Sequence, residues 1–146
     1  MQPMIGNFMS GLLFELELFA RMVLGGVCGA AVGLERSRRF KEAGIRTHIL
    51  VAIGATLMMI VSKYAFSDLT GRVASDFGTR GADPARIAAQ IVSGIGFLGA
   101  GVIFKYGGVI KGLTTAAGLW ASASLGIAIG AGCYECVIIA FALHLL

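Results

Sequence analysis

Arg86, Gln90, Ser93 and Phe97 are spaced by four, three and four residues, so any helix containing them presents them on one face, with Asp83 one turn before Arg86. A carboxylate, a guanidinium, an amide and a hydroxyl in that order could bind a solute or an ion. Equally, Asp83 could cap the helix while Gln90 bonds a neighbouring segment. A second cluster joins Glu35 and Arg36 to Arg46, Thr47 and His48 across one short polar stretch. Arginines that snorkel to a membrane interface explain the bases without any site. Glu35 and His48 are not needed for orientation, and a Glu35 to Arg46 pair is expected to lock the two segments together. Thr114 and Thr115 start a later apolar run near the same end and could add hydroxyls or cap a helix.

None of these groups forms a recognisable catalytic apparatus. The sequence has no G-x-S-x-G elbow, no phosphate-binding G-x-x-x-x-G-K-[ST] and no H-E-x-x-H, and His48 and His144 lack the local partners of a metal site. The expectation is a protein that is not an enzyme and needs no cofactor or metal. Cys28 lies in an apolar run as a small hydrophobe, and Cys133 and Cys136 form C-x-x-C without the βαβ setting of a redox motif.

The elements that must carry these residues are set by composition. With 57% hydrophobic and 14% charged residues and a mean hydropathy of +0.85, the chain is too apolar for a soluble domain and suits a bilayer. Apolar runs of spanning character lie at about 12–34, 47–66, 85–104 and 113–131, with a fifth at 133–146. The fifth is short for a crossing, so the last helix is expected to be incomplete or the chain to continue. The fold class expected is therefore an all-α integral membrane bundle of five helices, four of them complete, joined by short loops.

Arg36, Arg38, Arg39, Lys41 and Arg46 follow the first run, and Lys105 and Lys111 flank the turn after the third. Under the positive-inside rule those ends are cytoplasmic, the N-terminus is outside and the C-terminus faces the cytoplasm. The net charge of +4 is thus a membrane-orientation signal, and no nucleic acid is expected as a partner.

Lipid provides no hydrophobic drive between helices, so small residues must let backbones approach. Gly25, Gly29 and Gly33 recur every fourth residue on the first run, and Gly118, Ser122 and Gly126 do so on the fourth. Each stripe predicts a helix seam, either within the chain or between two copies, a dimer being the commonest closed symmetry. Gly94, Gly96 and Gly99 spell G-x-G-x-x-G, but inside an apolar run with Gly101 behind them they predict close packing or a locally broken membrane helix, not a dinucleotide site.

Gly33-Leu34-Glu35-Arg36, Ala43-Gly44-Ile45-Arg46-Thr47-His48, the long run from Asp83 to Gly101, and Gly112-Leu113-Thr114-Thr115-Ala116-Ala117 with Trp120 together resemble the signature of the MgtC/SapB family, in the same order and spacing over about Leu18 to Leu146. The resemblance implies a five-helix domain of the bacterial inner membrane, often followed by a cytoplasmic ACT-like domain that these 146 residues do not contain. It also implies adaptation to low magnesium and virulence-associated stress, and contact with the proton-driven ATP synthase. Thr114 departs from the pattern, since some virulence-associated members carry Asn there, which weakens transfer of their partner contacts. The leading expectation is a regulator acting through helix contacts with itself or another membrane complex, in contact with membrane lipid. The alternative is a small transporter or solute-binding membrane protein.

Overall fold

A computed structural model describes residues 2–64 and 84–144, with side chains from 9 to 64 and 85 to 144. Asp83 and the polar stretch around it lie outside the described residues. The elements are α1 (Gln2–Arg38), α2 (Ile45–Tyr64), α3 (Pro84–Gly101), β1 (Phe104–Tyr106), β2 (Val109–Lys111), α4 (Leu113–Ala131) and α5 (Tyr134–His144). Three of these helices, over Met9–Arg38, Ile45–Tyr64 and Leu113–Ala131, are long and apolar enough to cross a membrane. The helices over Ala85–Gly101 and Tyr134–His144 are apolar but shorter.

The core is built where glycine removes a side chain. On α1, a Cβ at Gly29 would lie 2.6 Å from the carbonyl oxygen of His48, and one at Gly33 would strike the backbone of Ile45. Gly25 meets Thr56 in the same way, so α1 and α2 run antiparallel with backbones in direct contact. On α4, a Cβ at Gly126 would strike the Ala52 carbonyl, and one at Gly130 would sit 2.7 Å from both Thr56 O and Met59 Cβ. Numbers rise together along this second seam, so α2 and α4 are parallel. The stripes on α1 and α4 are consumed inside the chain.

Close approach also brings in polar bonds. Thr56 Oγ1, fully buried, donates to Ala52 O at 2.8 Å and lies 3.1 Å from Gly126 O, linking α2 to α4 in the middle of the bundle. One apolar cluster joins Cys28 and Val32 of α1 to Leu125 and Ile129 of α4 and Val137 of α5. Another joins Ala55 of α2, Ile95 of α3 and Ala123 of α4. Helix α4 is thus the centre, with α1 and α2 locked to it and α3 and α5 laid against its sides.

Chain direction changes at glycines with positive φ. Gly132 (φ 87°) ends α4 in a Schellman motif: its N–H donates to Ile129 O at 3.0 Å while Cys133 N–H donates to Ala128 O at 2.9 Å. Gly107 (φ 57°) and Gly108 (φ 85°) form a two-residue turn of the type that suits the twist of a hairpin. The strands it joins pair Phe104 with Lys111, Lys105 with Ile110 and Tyr106 with Val109.

Several expectations change here. The short turn after the third run is a β-hairpin, and that run ends as helix at Gly101 instead of continuing to 104, because Phe104 is already paired in β1. The first helix is longer than 12–34 at both ends, and α2 begins two residues before 47. Helix α3 is unbroken through Gly94, Gly96 and Gly99. Among the described residues close packing is not the reason for Gly94, Gly96 and Gly101 either: a Cβ at any of them would meet none of those residues within 4 Å, and Gly99 has ordinary contact with Ala116 at 3.6 Å.

This geometry separates two kinds of glycine. Gly126→Ala should destabilise the protein by about 1–3 kcal/mol, the usual cost of overpacking. Gly54→Ala, in a helix with nothing within 4 Å of its Cβ, should be neutral or stabilising. Thermal unfolding of both variants in detergent checks the contrast.

Candidate functional site

Two arginines enter the bundle from α1, one near each end of the α4 seam. At one end Arg36, 9% exposed, reaches from the last turn of α1 to the first turn of α4. Its Nη1 donates to Thr114 O at 2.9 Å and its Nη2 to Thr115 Oγ1 at 2.7 Å. The absent side chain of Gly118 makes the room, since a Cβ there would lie 3.0 Å from Nη1. The guanidinium therefore bonds a second lone pair of a first-turn carbonyl and the buried hydroxyl of Thr115.

His48 and Glu35 flank this clamp differently. His48 is fully buried and its Nδ1 is 2.9 Å from Gly44 O, so the ring is held by the backbone one turn before it. Glu35 is half-buried and pairs with Arg39 on its own helix at 2.9 Å, not with Arg46. The expected inter-helix pair is replaced by an i,i+4 pair, which needs no chain crossing. Arg46, Thr47 and Thr114 point outward as exposed residues, while Thr115 is buried. Of the cluster read from sequence, Arg36 and Thr115 are in direct contact.

At the other end Arg21, 5% exposed, gathers three helices. Its Nε donates to Tyr134 Oη at 3.1 Å, and its Nη1 donates to Tyr64 Oη at 3.0 Å and to Gly130 O at 2.9 Å. Its Nη2 is paired with Glu17, one turn earlier on α1. The guanidinium carbon also sits 5.6 Å from the centre of the Tyr64 ring, which Phe14 meets edge-on at 5.1 Å. Lys63 adds a bond to Ala131 O at 2.8 Å. Arg21 was not among the candidate site residues read from the sequence. The signal that could have found it was a charged residue inside an apolar run, since such a residue must have internal partners in a membrane.

The third polar group lies on α3. Arg86 and Gln90 are exposed and line an open cleft of about 680 Å³ between α2, α3 and α4, whose other walls include Leu50, Gly54, Met58, Ile91, Gly94 and Leu98. Ser93 is exposed and lies 3.4 Å from Ala89 O on its own helix, and Phe97 is 80% exposed. The cleft is apolar apart from its Arg86 and Gln90 end, so it suits a hydrophobic body with a polar head more than a hydrated ion. Among the described residues no group of three or more His, Cys, Asp or Glu side chains could hold a metal.

The sequence model of the MgtC family matches residues 22–146, a stretch that takes in the Arg36 clamp and the cleft and begins one residue after Arg21. The chain belongs to the MgtC family. Among its relatives, "Putative magnesium transporter YhiD" of Escherichia coli (strain K12) is 47% identical over 119 residues, covering 82% of this chain and 53% of that protein. "Protein MgtC" of Brucella abortus (strain 2308) is 47% identical over 104 residues, covering 71% of this chain and 38% of that protein. This MgtC-family chain thus spans about half the length of YhiD and less of the Brucella protein. No solved structure matches it.

The clamps predict distinct responses. Arg36→Lys keeps the charge but cannot span both Thr114 O and Thr115 Oγ1 with a planar fork, so it should lower stability by about 1–3 kcal/mol. Arg39→Lys, on an exposed pair, should change it by less than about 0.5 kcal/mol. Denaturant unfolding in mixed micelles compares them.

Proposed function

We propose that this chain is a regulatory component of the bacterial inner membrane that serves adaptation to low magnesium and acts by helix contact. The five helices form the membrane bundle, with the N-terminus outside and the Arg36 end and the hairpin in the cytoplasm. The reading is supported most by where the glycines are used. Those of α1 and α4 hold the bundle's own seams, whereas Gly96 on α3 is exposed and a Cβ there would meet nothing within 4 Å among the described residues. A helix with bare backbone on its open side can take another helix in close contact, from a second copy or from a different membrane complex. The basic residues after α1 and around the hairpin support the orientation.

A second reading, a small transporter or solute-binding protein, is favoured by one observation. The cleft between α2 and α3 carries Arg86 and Gln90 at one end and opens to the side of the bundle. The magnesium-transporter wording in the name of YhiD points the same way for that protein.

The two readings separate in one experiment. Cells lacking the protein and growing in limiting magnesium are complemented with Gly96→Leu, Ala100→Leu (one turn on and likewise exposed) or the unchanged chain, and the purified chain is assayed for magnesium flux in liposomes. Contact regulation predicts normal folding, lost complementation for the leucine variants, and flux equal to protein-free liposomes. Protein-dependent flux, or full complementation by both leucine variants, contradicts it.

A further inference from the structure

Among the described residues, three buried side-chain polar atoms have no hydrogen-bond partner: Arg36 Nε, His48 Nε2 and Ser122 Oγ. Their residues are 9%, 0% and 0% exposed and come from α1, α2 and α4 in turn. The seams place them at one level. Gly118, one turn before Ser122, lies against the Arg36 side chain, and Gly126, one turn after it, lies against Ala52, which is one turn beyond His48. Ser122 therefore lies level with His48 along the α2–α4 seam and one turn from the Arg36 side chain.

The donors and acceptors then select the occupant. Arg36 Nε–H can only donate. His48 Nδ1 is bonded to the Gly44 carbonyl, which can only accept, so the proton sits on Nδ1 and the neutral ring turns a lone pair outward at Nε2. Ser122 can do either. An anion would accept from Arg36 but meet the lone pair of His48; a cation would suit His48 but meet the guanidinium. Water both accepts and donates, and it is small enough for a junction of three close-packed helices.

We propose that Arg36 Nε, His48 Nε2 and Ser122 Oγ bind one internal water molecule, which accepts from Arg36 and donates to His48. The remaining nitrogens of Arg36 hold the first turn of α4 through Thr114 O and Thr115 Oγ1. The water thereby joins the end of α1 and the start of α2 to the point where the β-hairpin enters α4. It is an exchangeable polar joint at the end of the bundle opposite the Arg21 clamp.

Solid-state NMR of the full chain in nanodiscs tests this, with ¹⁵N-labelled histidine and water-to-ring transfer. The expected result is a neutral Nδ1–H ring for His48, a water cross-peak to that ring, and loss of the cross-peak in Ser122→Ala. The half-buried His144 is the control that transfer works. An Nε2–H ring, or a His48 ring with no water cross-peak while His144 shows one, overturns the proposal. So does an unchanged cross-peak in Ser122→Ala, which would remove Ser122 from the site. A His48 shift that follows added bromide would indicate an anion and would also overturn it.

Discussion

A bilayer offers neither water for a stranded polar group nor a hydrophobic force to draw helices together, and both deficits are met on α4. Its glycines let α2 and Arg36 approach the backbone, and its carbonyls at Thr114, Gly126 and Gly130 accept bonds from Arg36, Thr56 and Arg21. Removing side chains and supplying donors are two parts of one solution. Where Gly118 leaves space, Arg36 fills it, and where Gly126 leaves space, the Ala52 backbone and Thr56 fill it. The rest of the fold hangs on this seam, since α3 and α5 each add one buried residue to a cluster centred on α4.

The two arginine clamps give that seam its ends. Arg21 is met by two tyrosines, a carboxylate and a carbonyl, so a charge deep in an apolar helix is spread over several partners. Arg36 is met by a carbonyl and a hydroxyl, with its acidic neighbour Glu35 turned to Arg39. The first clamp is complete within the protein, whereas the second leaves Nε available for a small ligand.

Much of this was legible in the sequence, for reasons that differ by element. The long apolar runs marked α1, α2 and α4 because span length is a property of composition. The four-residue spacing of Gly25, Gly29 and Gly33 marked a seam, but not its partner, since period alone does not say which helix lies opposite. The expectation of close packing or a broken helix failed for Gly94, Gly96 and Gly101, where α3 is continuous and a Cβ would meet nothing within 4 Å among the described residues. The hairpin was encoded by Gly107-Gly108 between Phe104-Lys105-Tyr106 and Val109-Ile110-Lys111, a turn signal masked by the expectation of a plain loop between spans. Arg36 was visible as a candidate but without a partner, and the pair that was expected, Glu35 with Arg46, gives way to Glu35 with Arg39 while Arg36 turns to the neutral oxygens of α4.

The central claim is that the α4 face is sealed by the chain itself and the α3 surface around Gly96 is left open. Labelling by a membrane-permeant maleimide tests it most directly, using single-cysteine variants of the purified chain in nanodiscs with Cys28, Cys133 and Cys136 replaced by serine. Ala123, 1% exposed on α4, and Gly96, on the open side of α3, are the positions to compare. The account predicts rapid labelling of Gly96→Cys and protection of Ala123→Cys until the bundle unfolds. Equal labelling at both positions, or protection at Gly96→Cys, would contradict it.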